Sequence, residues 1–211
     1  MLDCVFFDLM DTVLIDPYEE ALVAATGLGV AELHELRDPT AWADFELARI
    51  DEPEFARRFF ADGSPFDSVT FNRVRRAGYR WVPGMREIVE ELEGRVQRHV
   101  ASNYPEWIDE VRSQFTLHEH FEGIWASVHL GARKPDPAFY RRLAECADVE
   151  PRRCLFVDDR PRNCEGAVSA GMRSHVFTGA AALRECLLAE GALSDASEGG
   201  EPGSRERGKS A

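Results

Sequence analysis

Four short stretches of the chain hold side chains suited to one chemistry, the transfer of a phosphoryl group from a monoester. In Cys4-Val5-Phe6-Phe7-Asp8-Leu9-Met10-Asp11-Thr12 an apolar run ends in a carboxylate, and in His99-Val100-Ala101-Ser102-Asn103-Tyr104-Pro105 another ends in a hydroxyl. Lys134 stands in Arg133-Lys134-Pro135-Asp136-Pro137, and Asp158-Asp159 close the run Leu155-Phe156-Val157 ahead of Arg160-Pro161 and Asn163. A carboxylate can accept a phosphoryl group as an aspartyl phosphate, but this brings two anions together and calls for positive charge. Asp8 is therefore the expected nucleophile. Asp8 and Asp159 are expected to hold Mg²⁺, with the Met10 carbonyl as a further oxygen, because a small hard cation takes oxygen ligands. Asp158 is placed in the same metal site, where it orients either the metal's waters or Lys134. Lys134 supplies the fixed cation. The Ser102 hydroxyl, Asn103 and nearby backbone N–H groups are expected to bind phosphate oxygens. Arg160 and Asn163 either bind substrate, hold the metal loop's backbone or cap a helix.

These residues must be brought together by the elements that carry them. After residue 80, β and α signals alternate. Pro83-Gly84 opens a helix to about Glu93, 96–101 reads as a strand, and Pro105 opens a helix with Ile108, Val111 and Phe115 on one face. A weaker strand is expected over 125–130, a helix from Asp136-Pro137, a strand over 154–157 and a helix after Pro161. Such alternation implies a parallel sheet with right-handed crossovers, and ligands of open parallel sheets lie beyond the carboxyl ends of the strands. The expected fold is an α/β Rossmann-like core, 1–16 and 81–189, with a helical cap inserted over 17–80. Within the cap Trp42, Phe45, Phe55, Phe59, Phe71 and Val74 recur at helical spacing and are expected to form a small core. Trp42, Arg49, Trp81 and Tyr104 are candidates for a pocket lining. Residues 190–211, rich in Gly, Ser, Glu and Arg, read as a disordered tail.

A net charge of −13 and a pI near 4.9 argue against nucleic acid as a partner. A small phosphorylated metabolite is the better expectation, with the protein a monomer or homodimer. No window approaches the roughly 18 apolar residues of a membrane span, and Met1-Leu2-Asp3 lacks the basic start of a signal peptide, so a cytoplasmic location is expected. The five scattered cysteines suit reduced thiols better than disulfides or a metal cage.

The ordered set of DxxxT at Asp8, Ser102, Lys134-Pro-Asp-Pro and Asp158-Asp159-Arg-Pro-x-Asn resembles the haloacid dehalogenase (HAD) superfamily of hydrolases, subfamily I, with the helical cap between the first two motifs. Met10-Asp11-Thr12, Asp16-Pro17, Ser102 to Pro105 and Arg133 to Pro137 are similar to the corresponding stretches of chloroplast-type flavin mononucleotide (FMN) hydrolases. The resemblance implies a Mg²⁺-dependent phosphatase of FMN or a similar small phosphomonoester. Phosphatases of this superfamily usually carry a general acid two residues after the nucleophile, where this chain has Met10. Asp11, one residue further on, either takes over proton transfer or only pins its loop. Met10 also leaves room for two other functions. One is a 2-haloacid dehalogenase, whose halide leaves unprotonated; the other is a catalytically silent protein that binds a phosphorylated ligand or partner.

Overall fold

The computed structural model describes residues 2–194. Its main sheet has five parallel strands in the order β5-β4-β1-β6-β7: β1 (Cys4–Phe7), β4 (Gln97–Ser102), β5 (Gly123–Ala126), β6 (Cys154–Asp158) and β7 (Arg173–Val176). The first strand is the central one, so both of its faces are covered, which is why it reads as an unbroken apolar run. Val5 and Phe7 join the cluster that continues into the helical insertion, while Cys4 and Phe6 join the cluster under the opposite helices. Burying each phenylalanine contributes roughly 2 kcal/mol. A slip of one residue would exchange the two faces, which pins the register Phe7 to Val100 and Val157. That register sets Asp8 beside the ends of β4 and β6.

A small hairpin, β2 (Leu14–Ile15) paired antiparallel with β3 (Arg80–Trp81), forms the two-stranded stem of the insertion. Between them run α1 (Tyr18–Thr26), α2 (Val30–Leu36), α3 (Ala41–Glu46), α4 (Glu52–Arg58) and α5 (Ser68–Gly78). Their interior is the aromatic set expected from the spacing, with Phe45, Phe55, Phe59 and Phe71 buried. The set extends to Trp107 on the core side, whose ring lies 4.9 Å from Phe45 and 5.6 Å from Phe71 by centroid, with the Arg75 guanidinium 4.1 Å over it. The cap is thus packed onto the core by shared aromatic contacts.

The core continues with α6 (Met85–Glu91), α7 (Ile108–Gln114), α8 (Leu117–His120), α9 (Ser127–Leu130), α10 (Pro137–Ala147), α11 (Pro161–Ser169) and α12 (Ala180–Ala189). The strand expected over 125–130 stops at Ala126, and α9 follows. The Ser127 hydroxyl donates to the Glu46 carbonyl and accepts the Tyr104 N–H, which bends the chain out of the sheet. Among the elements that escaped the periodicity are β2 and β3, each only two residues long, and the edge strand β7, which has no fully buried residue. Packing also runs past residue 190, since Ala192 and Leu193 are buried. The rest of the expected tail lies outside the described residues. All five cysteines are free thiols, as expected, with Cys146 exposed. Among the described residues no helix is long and apolar enough to cross a membrane.

Candidate active site

Asp8, Ser102 and Asp158 sit at or just beyond the carboxyl ends of β1, β4 and β6, and Lys134 arrives on the loop before α10. Lys134 Nζ lies 2.8 Å from Asp8 Oδ1 and 2.6 Å from Asp158 Oδ2, and it donates to the Ala101 carbonyl at 3.0 Å. Three acceptors use its three hydrogens. Lys134 is 2% exposed and Asp158 is 0% exposed, so this is a desolvated charge cluster whose members depend on each other. Burial pulls the Lys134 ammonium down, but Asp8 and Asp158 outweigh it and hold it above the usual lysine value. Burial, partly opposed by Lys134 and reinforced by Asp158, pushes Asp8 up to about 7.

Local structure fixes each member. Asn103 Nδ2 donates to the Lys134 carbonyl at 3.0 Å and its Oδ1 accepts the Lys134 N–H at 2.7 Å, so Asn103 clamps the lysine's peptide. This uses both ends of the amide that was expected to meet phosphate. Asp158 Oδ1 accepts the Arg160 N–H and Asn163 Nδ2, each at 2.9 Å, and Oδ2 takes the lysine. Asp158 is therefore occupied as an orienting group for Lys134 and the loop into α11, the second of its two expected roles. Asn163 is held in turn by Tyr140, whose hydroxyl donates to the Asn163 carbonyl at 2.6 Å. A Cβ on Gly166 would sit 2.8 Å from both the Tyr140 hydroxyl and the Pro135 carbonyl, so glycine is what lets α11 approach.

Asp8, Asp158 and Asp159 each offer a carboxylate oxygen within 4.8 Å of the others. Asp159 Oδ1 is buried with no hydrogen-bond partner, an unusual state for a carboxylate oxygen. Burial, then Asp158, raises Asp159 above the ordinary carboxylate range. A hard divalent cation is the group this donor set fits, since it would satisfy the orphaned oxygen and offset the crowding of negative charge. Asp8 and Asp159 are the open ligands.

Above these groups is a cavity of about 370 Å³ whose wall includes Asp8, Met10, Ser102, Asn103, Lys134, Arg160 and Asn163 from the core. The cap contributes Tyr18, Leu22, Leu33, His34, Arg37 and Trp42, and the Tyr18 and Trp42 rings are 4.7 Å apart. Of the four pocket candidates, Trp42 and Tyr104 line the cavity. Arg49 instead pairs with Asp44, and Trp81 packs on His120. Asp11 is not in the wall: its backbone is left-handed at φ 58°, and its Oδ1 accepts the Asp16 N–H at 3.0 Å, the loop-pinning role. One group had no motif to announce it. Glu46, 3% exposed on α3, has Oε2 2.7 Å from Arg133 Nη2, an ion pair linking cap to core beside Lys134. Asp16, just after β2, also lines the cavity.

This geometry agrees with what the chain matches. Its similarity to chloroplastic FMN hydrolase 1 of Arabidopsis thaliana is 36% identity over 187 residues, covering 88% of this chain and 76% of the relative. The fold superposes on a predicted HAD-like hydrolase of Porphyromonas gingivalis with a TM-score of 0.73 at 21% identity, covering 89% of this chain and 98% of that one. It superposes on a HAD family enzyme of Bacteroides thetaiotaomicron, a mutant form in complex with magnesium and inorganic phosphate, with a TM-score of 0.72 at 15% identity, covering 85% and 95%. The model of the haloacid dehalogenase-like hydrolases matches residues 2–171, the span that carries all four chemical motifs, and the chain belongs to that family of enzymes.

Proposed function

We propose that this hydrolase is a Mg²⁺-dependent phosphatase that forms an aspartyl phosphate on Asp8 and acts on a small phosphomonoester whose leaving alcohol carries an aromatic ring system, FMN foremost. The observation that carries the chemistry is the buried Asp8–Lys134–Asp158 cluster with the unpartnered Asp159 oxygen beside it. A dehalogenase would use the same nucleophile, but its monoanionic substrate has no use for an open cation site. The flavin assignment is supported by the Arabidopsis relative and by the Tyr18 and Trp42 rings, which bring aromatic surface to the cavity wall.

Asp8 and Asp159 would hold Mg²⁺, which when bound offsets the negative charge shared by nucleophile and phosphoryl oxygens. Lys134 and the Leu9 N–H hold Asp8 Oδ1, which leaves its other oxygen for phosphorus, while Asp158 keeps the lysine in place. Asp8 attacks phosphorus and the leaving alcohol departs toward the cap. Ser102, 1% exposed at the end of β4, and Arg160 line the same cavity and would bind phosphate oxygens. The cap excludes bulk water from the phosphoenzyme.

Phosphate release from FMN, sugar phosphates and nucleotides, with Mg²⁺ and with chelator, tests this. The expected result is release that needs Mg²⁺, favours FMN and disappears in Asp8→Asn. Preference for another ester removes the flavin assignment. Metal-independent chloride release from 2-chloropropionate, or binding with no turnover of any ester, removes the phosphatase.

A further inference from the structure

Hydrolysis of an alkyl phosphate needs a proton for the departing alkoxide and a base for the water that follows. Met10 offers neither. Besides Asp8, the carboxylates, imidazole and amine of the cavity wall are Asp16, Glu19, His34, Asp38, Glu46 and Lys134. Lys134 has all its hydrogens engaged. Glu46 lies 2.7 Å from the Arg133 guanidinium, a fixed cation that favours its charged form against the rise that burial gives it. Asp38 accepts from Thr40 and Arg58, and the Thr40 backbone N–H, with its hydroxyl, holds it down at about 2, so it stays a carboxylate. His34 on α2 and Glu19 on α1 are exposed to solvent.

Asp16 remains, and the loop is built to present it. Its N–H is tied to Asp11 Oδ1, and its own Oδ1 accepts the Tyr18 N–H at 3.0 Å. Among the described residues nothing donates to its second oxygen. It shares the cavity wall with Asp8 and Met10. We propose that Asp16 is the proton-transfer residue of this site, giving a proton to the leaving oxygen and later accepting one from the attacking water. This rests on Asp8 being the nucleophile. In the first step the Asp8 oxygen–phosphorus bond forms, the phosphorus–leaving oxygen bond breaks, and the freed electron pair takes the Asp16 proton. In the second step water attacks phosphorus, its proton passes to the Asp16 carboxylate, and Asp8 departs as a carboxylate.

The ionisable groups facing Asp16 are Asp11 on its own loop, Tyr18 and Glu19 on α1, Tyr79 after α5, Tyr104 after β4 and Arg160 after β6. Burial, against the Tyr18 hydrogen bond and with Asp11 adding repulsion, raises Asp16 to about 6, within working range of a group that must both give and take a proton near neutrality.

The test compares Mg²⁺-saturated full-length protein on FMN, an alkyl ester, and on 4-nitrophenyl phosphate, whose phenolate leaves without a proton. Asp16→Asn keeps an acceptor for the Tyr18 N–H and removes the proton. The expected loss in single-turnover cleavage is ~10²-fold or more on FMN and at least tenfold smaller on the aryl ester. Equal loss on both esters overturns the proposal, as does the unequal pattern appearing in Asp11→Asn instead. A second measurement needs no variant: the parent's FMN-to-aryl rate ratio should fall as pH rises through about 6, where Asp16 loses its proton. A flat ratio overturns the assignment. Turnover surviving in Asp8→Asn would sink the underlying phosphatase reading separately.

Discussion

The floor and the roof of the cavity are built on opposite plans. The floor, from the core, is a desolvated polar network in which Lys134, Asp158, Asn103 and Asn163 each spend their hydrogen bonds on one another or on backbone. The roof, from the cap, brings apolar and aromatic surface to the cavity through Tyr18, Leu22, Leu33 and Trp42, and ion pairs from Glu46 to Arg133 and from Arg75 and Arg76 to Glu110 tie the cap down. Reacting groups must not move during the reaction, so they belong in the rigid part. A leaving group is chosen by shape and burial, which an apolar lid supplies.

The contrast breaks most severely at the floor. Lys134→Met should leave Asp8 and Asp158 facing each other without their cation. Turnover should fall at least ~10³-fold, and urea unfolding should show a loss of about 3–5 kcal/mol, as for a buried charge deprived of its partner. Retention of half the parent's kcat would mean the cluster is not the reaction centre. At the seam, Glu46→Gln should cost about 1–3 kcal/mol by leaving Arg133 without its countercharge. The looser cap should raise KM more than it lowers kcat. A pure kcat effect would move Arg133 from the seam into the floor. In the roof, Trp42→Leu should weaken FMN binding by about tenfold, roughly the worth of one aromatic contact, while a sugar phosphate is hardly affected. Equal effects on both would show that Trp42 only supports the cap.

The floor was more legible in the sequence than the roof, where spacing gave the aromatic interior and Trp42 but not the polar lining, for a physical reason. Asp8, Ser102, Lys134 and Asp158-Asp159 follow strand ends or precede helices, so local periodicity and end position were enough to place them. Asn103 was legible as a site residue but not as a clamp, because its two bonds reach a peptide 31 positions away. Glu46, His34 and Arg37 gain their place from how five short helices pack, and short amphipathic helices with aromatic interiors look alike in sequence. β7 failed for a related reason: its burial is partial, so it lacks the apolar run that marked β1 and β6. Asp11 turned on one backbone angle, a left-handed φ that aspartate tolerates and that spacing does not reveal.

The smallest effects sharpen the comparison because the same local device, an aspartate cap followed by a proline, occurs once in each region among the described residues. Asp51 begins α4 in the cap, its side chain accepting the Glu54 N–H at 2.9 Å, and Asp136 begins α10 in the core, accepting the Ala138 N–H at 2.8 Å. Each has a proline in the first turn, where a missing N–H costs nothing. Asp51→Ala and Asp136→Ala should therefore each cost about 1 kcal/mol if cap and core unfold together. The shared packing at Trp107 predicts that they do. Chemical unfolding followed by tryptophan fluorescence and by far-ultraviolet circular dichroism checks it. Coincident transitions shifted equally by both substitutions would show one cooperative unit. An early transition shifted only by Asp51→Ala would mean that the roof melts off an intact floor, and that the Glu46–Arg133 pair and Trp107 contacts are weaker than their burial implies.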